Sequence, residues 1–298
     1  SDSINVNIKH LSAYEKCGFE LKEFKGQSLI SPREIDIPDL VAQVNHSKAA
    51  IKFRFEYSEW SDWLDFINLV RFKSVIDSSN IYLDDLKYFS PELEGMNDML
   101  NASGQIKGSI ANLKLNEGSI YYGNSSFFNG DISVSGLPDI EQTFIRLIAK
   151  SAQFTNQDLN SFKLPGNASL NLGNELETLG DININGRFTG FYYDFVSNAS
   201  FTTALGYVST DISLQPTNNK LDFAYQGRVI TKDFNLGKLL GTDIVQNISM
   251  DAKLKGTGLS SLLNAEYQMS FESIVFRGFE YNDLNINGVI ANKKLNAF

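Results

Sequence analysis

The side chains able to do chemistry are few and badly spaced for it. The two histidines, His10 and His46, stand alone, without the paired spacing that a metal site or a general base with its orienting partner requires. Cys17 is the single cysteine, so the chain has no internal disulfide and no multi-cysteine zinc site; the bland expectation is a small buried side chain. No Gly-x-Ser-x-Gly elbow and no His-Glu-x-x-His helix occurs. Gly186-Arg187-Phe188-Thr189-Gly190 and Gly237-Lys238-Leu239-Leu240-Gly241 match no phosphate-binding pattern and read as turns. The carboxylate pairs Asp84/Asp85, Glu92/Glu94 and Glu175/Glu177 could in principle serve glycoside hydrolysis, but solvated loop charge explains them better. The expectation is a protein that is not an enzyme, with no metal and no cofactor.

Charge narrows the partners. Lys and Arg number 26 against 35 Asp and Glu over 298 residues, a formal charge of -9, which disfavours nucleic acid. No basic cluster or basic amphipathic helix is visible along the chain, so adsorption to anionic headgroups is disfavoured too, and any lipid contact must be apolar. No run of 18 or more apolar residues occurs, and Ser1-Asp2-Ser3-Ile4 is neither a signal peptide nor an anchor; the expectation is a segment of something longer.

The elements that would position a binding surface are strands. Apolar and polar residues alternate with period two, which puts every second side chain on one face. The apolar set runs Ile4, Val6, Ile8; Phe53, Phe55; Ile132, Val134; Ile182, Ile184; Leu221, Phe223, Tyr225; Met250, Leu254; Met269, Phe271; and Leu284, Ile286. Asn129-Gly130-Asp131, Gly180-Asp181, Asn185-Gly186 and Asn287-Gly288 read as turns of an antiparallel meander. Helical periodicity is scarce. Ser61 to Ile67, with Ser61 as N-cap, Asn156 to Leu159 and Asn235 to Leu240 each suit a turn or two that plugs or caps. The expectation is an all-β fold: one continuous, elongated, mainly antiparallel curled sheet over 1–298, with a possible loop break near 90–103.

Several stretches also resemble the periplasmic part of TamB-like proteins of the Bacteroidetes type, within the AsmA-like family. Asp85-Leu86-Lys87-Tyr88-Phe89-Ser90-Pro91-Glu92-Leu93 is similar to a recurring DLxYFxPxL stretch, and Gly136-Leu137-Pro138-Asp139-Ile140 with Thr143-Phe144-Ile145 to GLPDIxxTFI. Between them lies Gly104-Gln105-Ile106-Lys107-Gly108-Ser109-Ile110-Ala111-Asn112-Leu113, in matching order. The resemblance implies a long periplasmic protein, anchored in the inner membrane and reaching toward a BamA-like outer-membrane barrel through regions outside this segment. It also implies an absence of catalytic residues.

Pattern and resemblance converge on one mechanism. A sheet with one apolar face must pack that face or curl around it, and curling gives a U-shaped trough, or β-taco. Each buried methylene contributes about 0.8 kcal/mol, so phospholipid acyl chains would gain several kcal/mol in such a lane while headgroups stay wet. The apolar set above is thus the candidate lipid-binding face. Two other readings remain: a chaperone-like scaffold for outer-membrane barrel assembly or secretion, and a polysaccharide-binding β-solenoid using Tyr121-Tyr122 or Tyr192-Tyr193.

Overall fold

A computed structural model describes residues 3–88, 91–137, 139, 141–169, 173, 177–217, 223–258, 264–291 and 294–297. The fold is all-β and antiparallel, with a few short helices, and the chain clusters into two compact units. Unit 1 comprises Ser1–Thr143 and Gln157–Asn171; unit 2 comprises Phe144–Asn156 and Leu172–Phe298.

Unit 1 is an eight-stranded meander: β1 (Ile4–Tyr14), β2 (Glu20–Ile30), β3 (Glu34–Val44), β4 (Ser47–Glu56), β5 (Arg71–Tyr82), β6 (Met99–Ser109), β7 (Asn112–Tyr122) and β8 (Ser126–Ser135). Each strand pairs antiparallel with the next. A small ribbon, β10 (Lys163–Leu164) with β11 (Ala168–Ser169), also belongs to this unit. Register shifts fall on six successive pairings, at Lys25/Leu29, Ile37/Leu40, Lys48/Ala50, Ile76/Ser79, Ser103/Gln105 and Leu115/Gly118, near mid-strand except at Lys48/Ala50, which lies at the start of β4. A bulge bends its strand. Bulges on successive strands therefore add curvature to the sheet.

Unit 2 repeats the scheme with β9 (Phe144–Phe154), β12 (Ile182–Phe191), β13 (Asp194–Thr203), β14 (Gly206–Pro216), β15 (Phe223–Asn235), β16 (Val245–Thr257), β17 (Asn264–Phe276), β18 (Phe279–Ala291) and β19 (Lys294–Ala297). Here β9 pairs with β12 and every later strand with its successor.

Short helical pieces sit at strand ends. In unit 1 a 3-10 turn, Trp60–Asp65, runs into α1 (Phe66–Leu69), and another spans Leu83–Tyr88. The α2 helix (Asn156–Ser161) straddles the division between the units, and α3 (Leu236–Leu240) belongs to unit 2. The first begins after Glu59, not at Ser61: Asp62 accepts N–H bonds from Ser58 at 2.7 Å and Glu59 at 3.3 Å, and Ser61 lies inside the turn. In α3, Asn235 caps as expected, accepting from the Lys238 N–H at 2.8 Å.

Most of the expected turns are strand interiors, Gly186-Arg187-Phe188-Thr189-Gly190 within β12 among them. Asn129-Gly130-Asp131, Asn185-Gly186 and Asn287-Gly288 lie within β8, β12 and β18, while Gly180-Asp181 immediately precedes β12. The tight hairpins use other pairs, Asn45-His46, Ile110-Ala111, Tyr192-Tyr193, Ala204-Leu205 and Arg277-Gly278. Asn45 and Arg277 carry φ of 45° and 51°, the left-handed first position that a two-residue hairpin turn favours. Cys17, expected buried, is exposed, because it lies in the β1–β2 turn rather than on a strand face.

Candidate apolar binding face

Cross-strand partners share a face, so the registers trace each surface strand by strand. In unit 1 one row runs Ile4, Ile30, Ile35, Phe55, Phe72, Gly108, Leu113, Val134 across all eight strands of the meander. Phe53 lies on the same face opposite Ile37 and Ser74, Ile132 lies opposite Leu115, and Val6 and Ile8 lie opposite Ser28 and Gly26. All seven expected residues of this unit therefore share one face.

Unit 2 behaves alike. One row runs Ala152, Ile184, Phe201, Val208, Thr231, Met250, Phe271, Leu284, and the next runs Ala149, Gly186, Ala199, Thr210, Val229, Ala252, Met269, Ile286. Leu254 and Tyr225 fall on the same face opposite Gly227 and Leu214, Phe223 falls opposite Pro216, and Ile182 opposite Phe154. Leu221 lies outside the described residues.

These faces are neither packed shut nor fully exposed. Within each unit the long strands form a single sheet, leaving no second sheet of that unit to cover them. Ile4 and Leu284 are exposed and Phe271 is buried, while the other described members are half-buried. The chain exposes 18151 Å². Two compact proteins of half its mass would together expose about 15,200 Å², so the chain exposes more surface than two such globules. Small residues line the second row of unit 2, where Ala149, Ala199 and Ala252 are buried. A β-carbon added to Gly186 would lie 2.5 Å from the Ala199 Cβ. Glycine is required there by close backbone approach.

Helical pieces cover the ends of the faces. Trp63 and Phe66 stack at 5.6 Å and lie 5.1 Å and 6.0 Å from Phe55, while Phe53 packs on Phe55 and Phe72. In unit 2, Leu236 and Leu239 of α3 pack on buried Leu205, Phe234 and Ile248. Two buried carboxylates hold such pieces to hairpins. Asp85 accepts from the His46 N–H, the Ser47 N–H and the Ser47 hydroxyl at 2.9, 2.8 and 2.7 Å. Asp158, 2% exposed, accepts from the N–H groups of Asn124, Ser125 and Ser126 at 2.9, 3.0 and 2.8 Å. Burial pushes the Asp158 carboxyl up, but these donors and the Ser126 hydroxyl outweigh it and hold it well below the usual carboxylate range.

Among the described residues the carboxylate pair at Asp84 and Asp85 does not come together: Asp84 turns to Lys87 Nζ at 2.8 Å and the Gly95 N–H at 2.7 Å while Asp85 grips its hairpin. The Glu92 side chain and Glu175 lie outside what is described. Among the described residues no group of three or more His, Cys, Asp or Glu could hold a metal ion, and no helix is long and apolar enough to cross a membrane.

The opposite face is polar and carries discrete clefts. One of 450 Å³ in unit 2 draws on Ser213, Gln226, Lys255 and Glu266 with Ala224 and Val289; one of 190 Å³ in unit 1 is lined by Lys52, Arg54, Lys73 and Lys107 with Asp36 among others. The sequence pattern gave no sign of the second, because each strand contributes only one or two cations and only the register assembles them. No family model, curated protein or solved structure matches the chain.

Proposed function

We propose that the apolar faces hold phospholipid acyl chains, and that the chain is a non-enzymatic periplasmic segment passing lipid between inner and outer membranes in support of outer-membrane biogenesis. The observation that carries this reading is the unbroken cross-strand row from Ile4 to Val134 in unit 1, with its counterpart from Ala152 to Leu284 in unit 2. Transport calls for weak, repeated binding, which an open lane of half-buried side chains provides and a deep pocket does not. The resemblance to TamB-like proteins points the same way, and assigns the contact with a BamA-like barrel to regions outside this segment. Native mass spectrometry after gentle extraction tests the reading: co-purifying phospholipid supports it, and a lipid-free chain that also takes up none from vesicles contradicts it.

A further inference from the structure

The polar face of unit 1 holds a line of cations. Arg54 on β4, Lys73 on β5, Lys107 on β6 and Lys114 on β7 are direct cross-strand neighbours in turn. Arg54 Nε meets Asp36 Oδ1 at 3.1 Å and Lys73 Nζ meets Glu56 Oε1 at 2.6 Å. Lys107 and Lys114 are exposed and have no ion pair among the described residues. Like charges directly opposite one another destabilise a sheet. In a chain with a net charge of -9, two facing unpaired lysines beside two more cations are a local reversal of sign.

We propose that the row Arg54, Lys73, Lys107, Lys114 is a docking surface for a short acidic peptide segment of a partner protein. Strands lie about 4.8 Å apart, so the row spans roughly 14 Å, the reach of about four or five extended residues. Carboxylates already occupy half of it, at Arg54 and Lys73, which shows the chemistry the row accepts. Its surroundings are acidic, with Asp36 and Glu56 toward one end and, at the other, Asp131 two residues along β8 from Ser133, which faces Lys114. A membrane plane of anionic headgroups or a nucleic-acid backbone extends its charge well past 14 Å and would meet those carboxylates; a short acidic stretch meets only the cations. Val75, 41% exposed between Lys52 and Gln105, offers the peptide an apolar contact beside the row. This surface is on the face opposite the apolar lane, so it leaves the lane free.

The test is fluorescence anisotropy on the full chain at low ionic strength, with a labelled peptide of alternating Glu and Ser as probe. Saturable binding that weakens with salt is expected. The double variant Lys107→Ser with Lys114→Ser should lose about tenfold in affinity, the corresponding double Arg variant should keep it, and Lys232→Ser in unit 2 should change nothing. The double Ser variant should melt no lower than the parent, since a repulsion has been removed. Absence of saturable peptide binding, equal binding by the double Ser variant, a lowered melting temperature in that variant, or tighter binding to phosphatidylglycerol vesicles or a single-stranded oligonucleotide than to the peptide would each overturn the proposal.

Discussion

Gly186 on β12 stands directly opposite Ala199 on β13, so close that an added β-carbon would lie 2.6 Å from the Ala199 Cα as well as 2.5 Å from its Cβ. The neighbour that must yield is partly backbone, which cannot rotate away. Gly186→Val should therefore cost about 1–3 kcal/mol through overpacking. Arg187→Val, on the opposite face and exposed, should stay within about 0.5 kcal/mol. Urea unfolding of both variants checks this; equal stabilities would mean the close approach is absent.

The Asp158 clamp predicts a particular acid sensitivity. Its folded carboxyl titrates below the unfolded value of about 3.9. The contribution is thus complete above that unfolded value and is lost as pH falls through it toward the folded one. Asp158→Asn should cost about 1–3 kcal/mol at neutral pH, and should flatten the decline of stability below about pH 5. An acid limb as steep in the variant as in the parent would assign that decline to other carboxylates, such as Asp84, held down by Lys87 and the Gly95 N–H.

Parity along a single strand separates the two faces. Leu254 lies on the apolar face of β16 and Lys253 on the polar face beside Arg228. Leu254→Asp should cost about 1–3 kcal/mol, as expected of a polar group placed among half-buried apolar side chains. Lys253→Asp changes an exposed side chain beside Arg228, which Asp251 already holds, and should cost no more than about 0.5 kcal/mol. Thermal melts of the pair decide it, and a larger loss at Lys253 would reverse the faces assigned to β16.

Phe53 and Met269 show what alternation reveals and why. A strand has only two faces, and the antiparallel partners carry each face across the sheet, so a period-two pattern places a residue even where bulges interrupt the register. Asn185-Gly186 shows the limit. A dipeptide that favours two-residue hairpin turns lies mid-strand, because the crowded face needs a residue without a side chain, and crowding depends on the partner strand. Lys107 and Lys114 were likewise illegible as a site: each is an ordinary exposed strand lysine until the register sets one opposite the other. Residue type alone predicts burial for Cys17, whereas its place in a turn exposes it.

The central claim is that lipid lies along the apolar faces rather than in one pocket, and site-specific photo-crosslinking tests it most directly. Crosslinkers at Val6, Val134, Phe223 and Ile286 lie on the apolar faces of the two units, and those at Asn7, Ser135, Gln226 and Asn287 on the opposite faces. Phospholipid should be captured at all four of the first set and at none of the second. Capture at a single apolar position would indicate a discrete site instead of a lane, and capture at none, or equally at both sets, would contradict lipid binding by these faces.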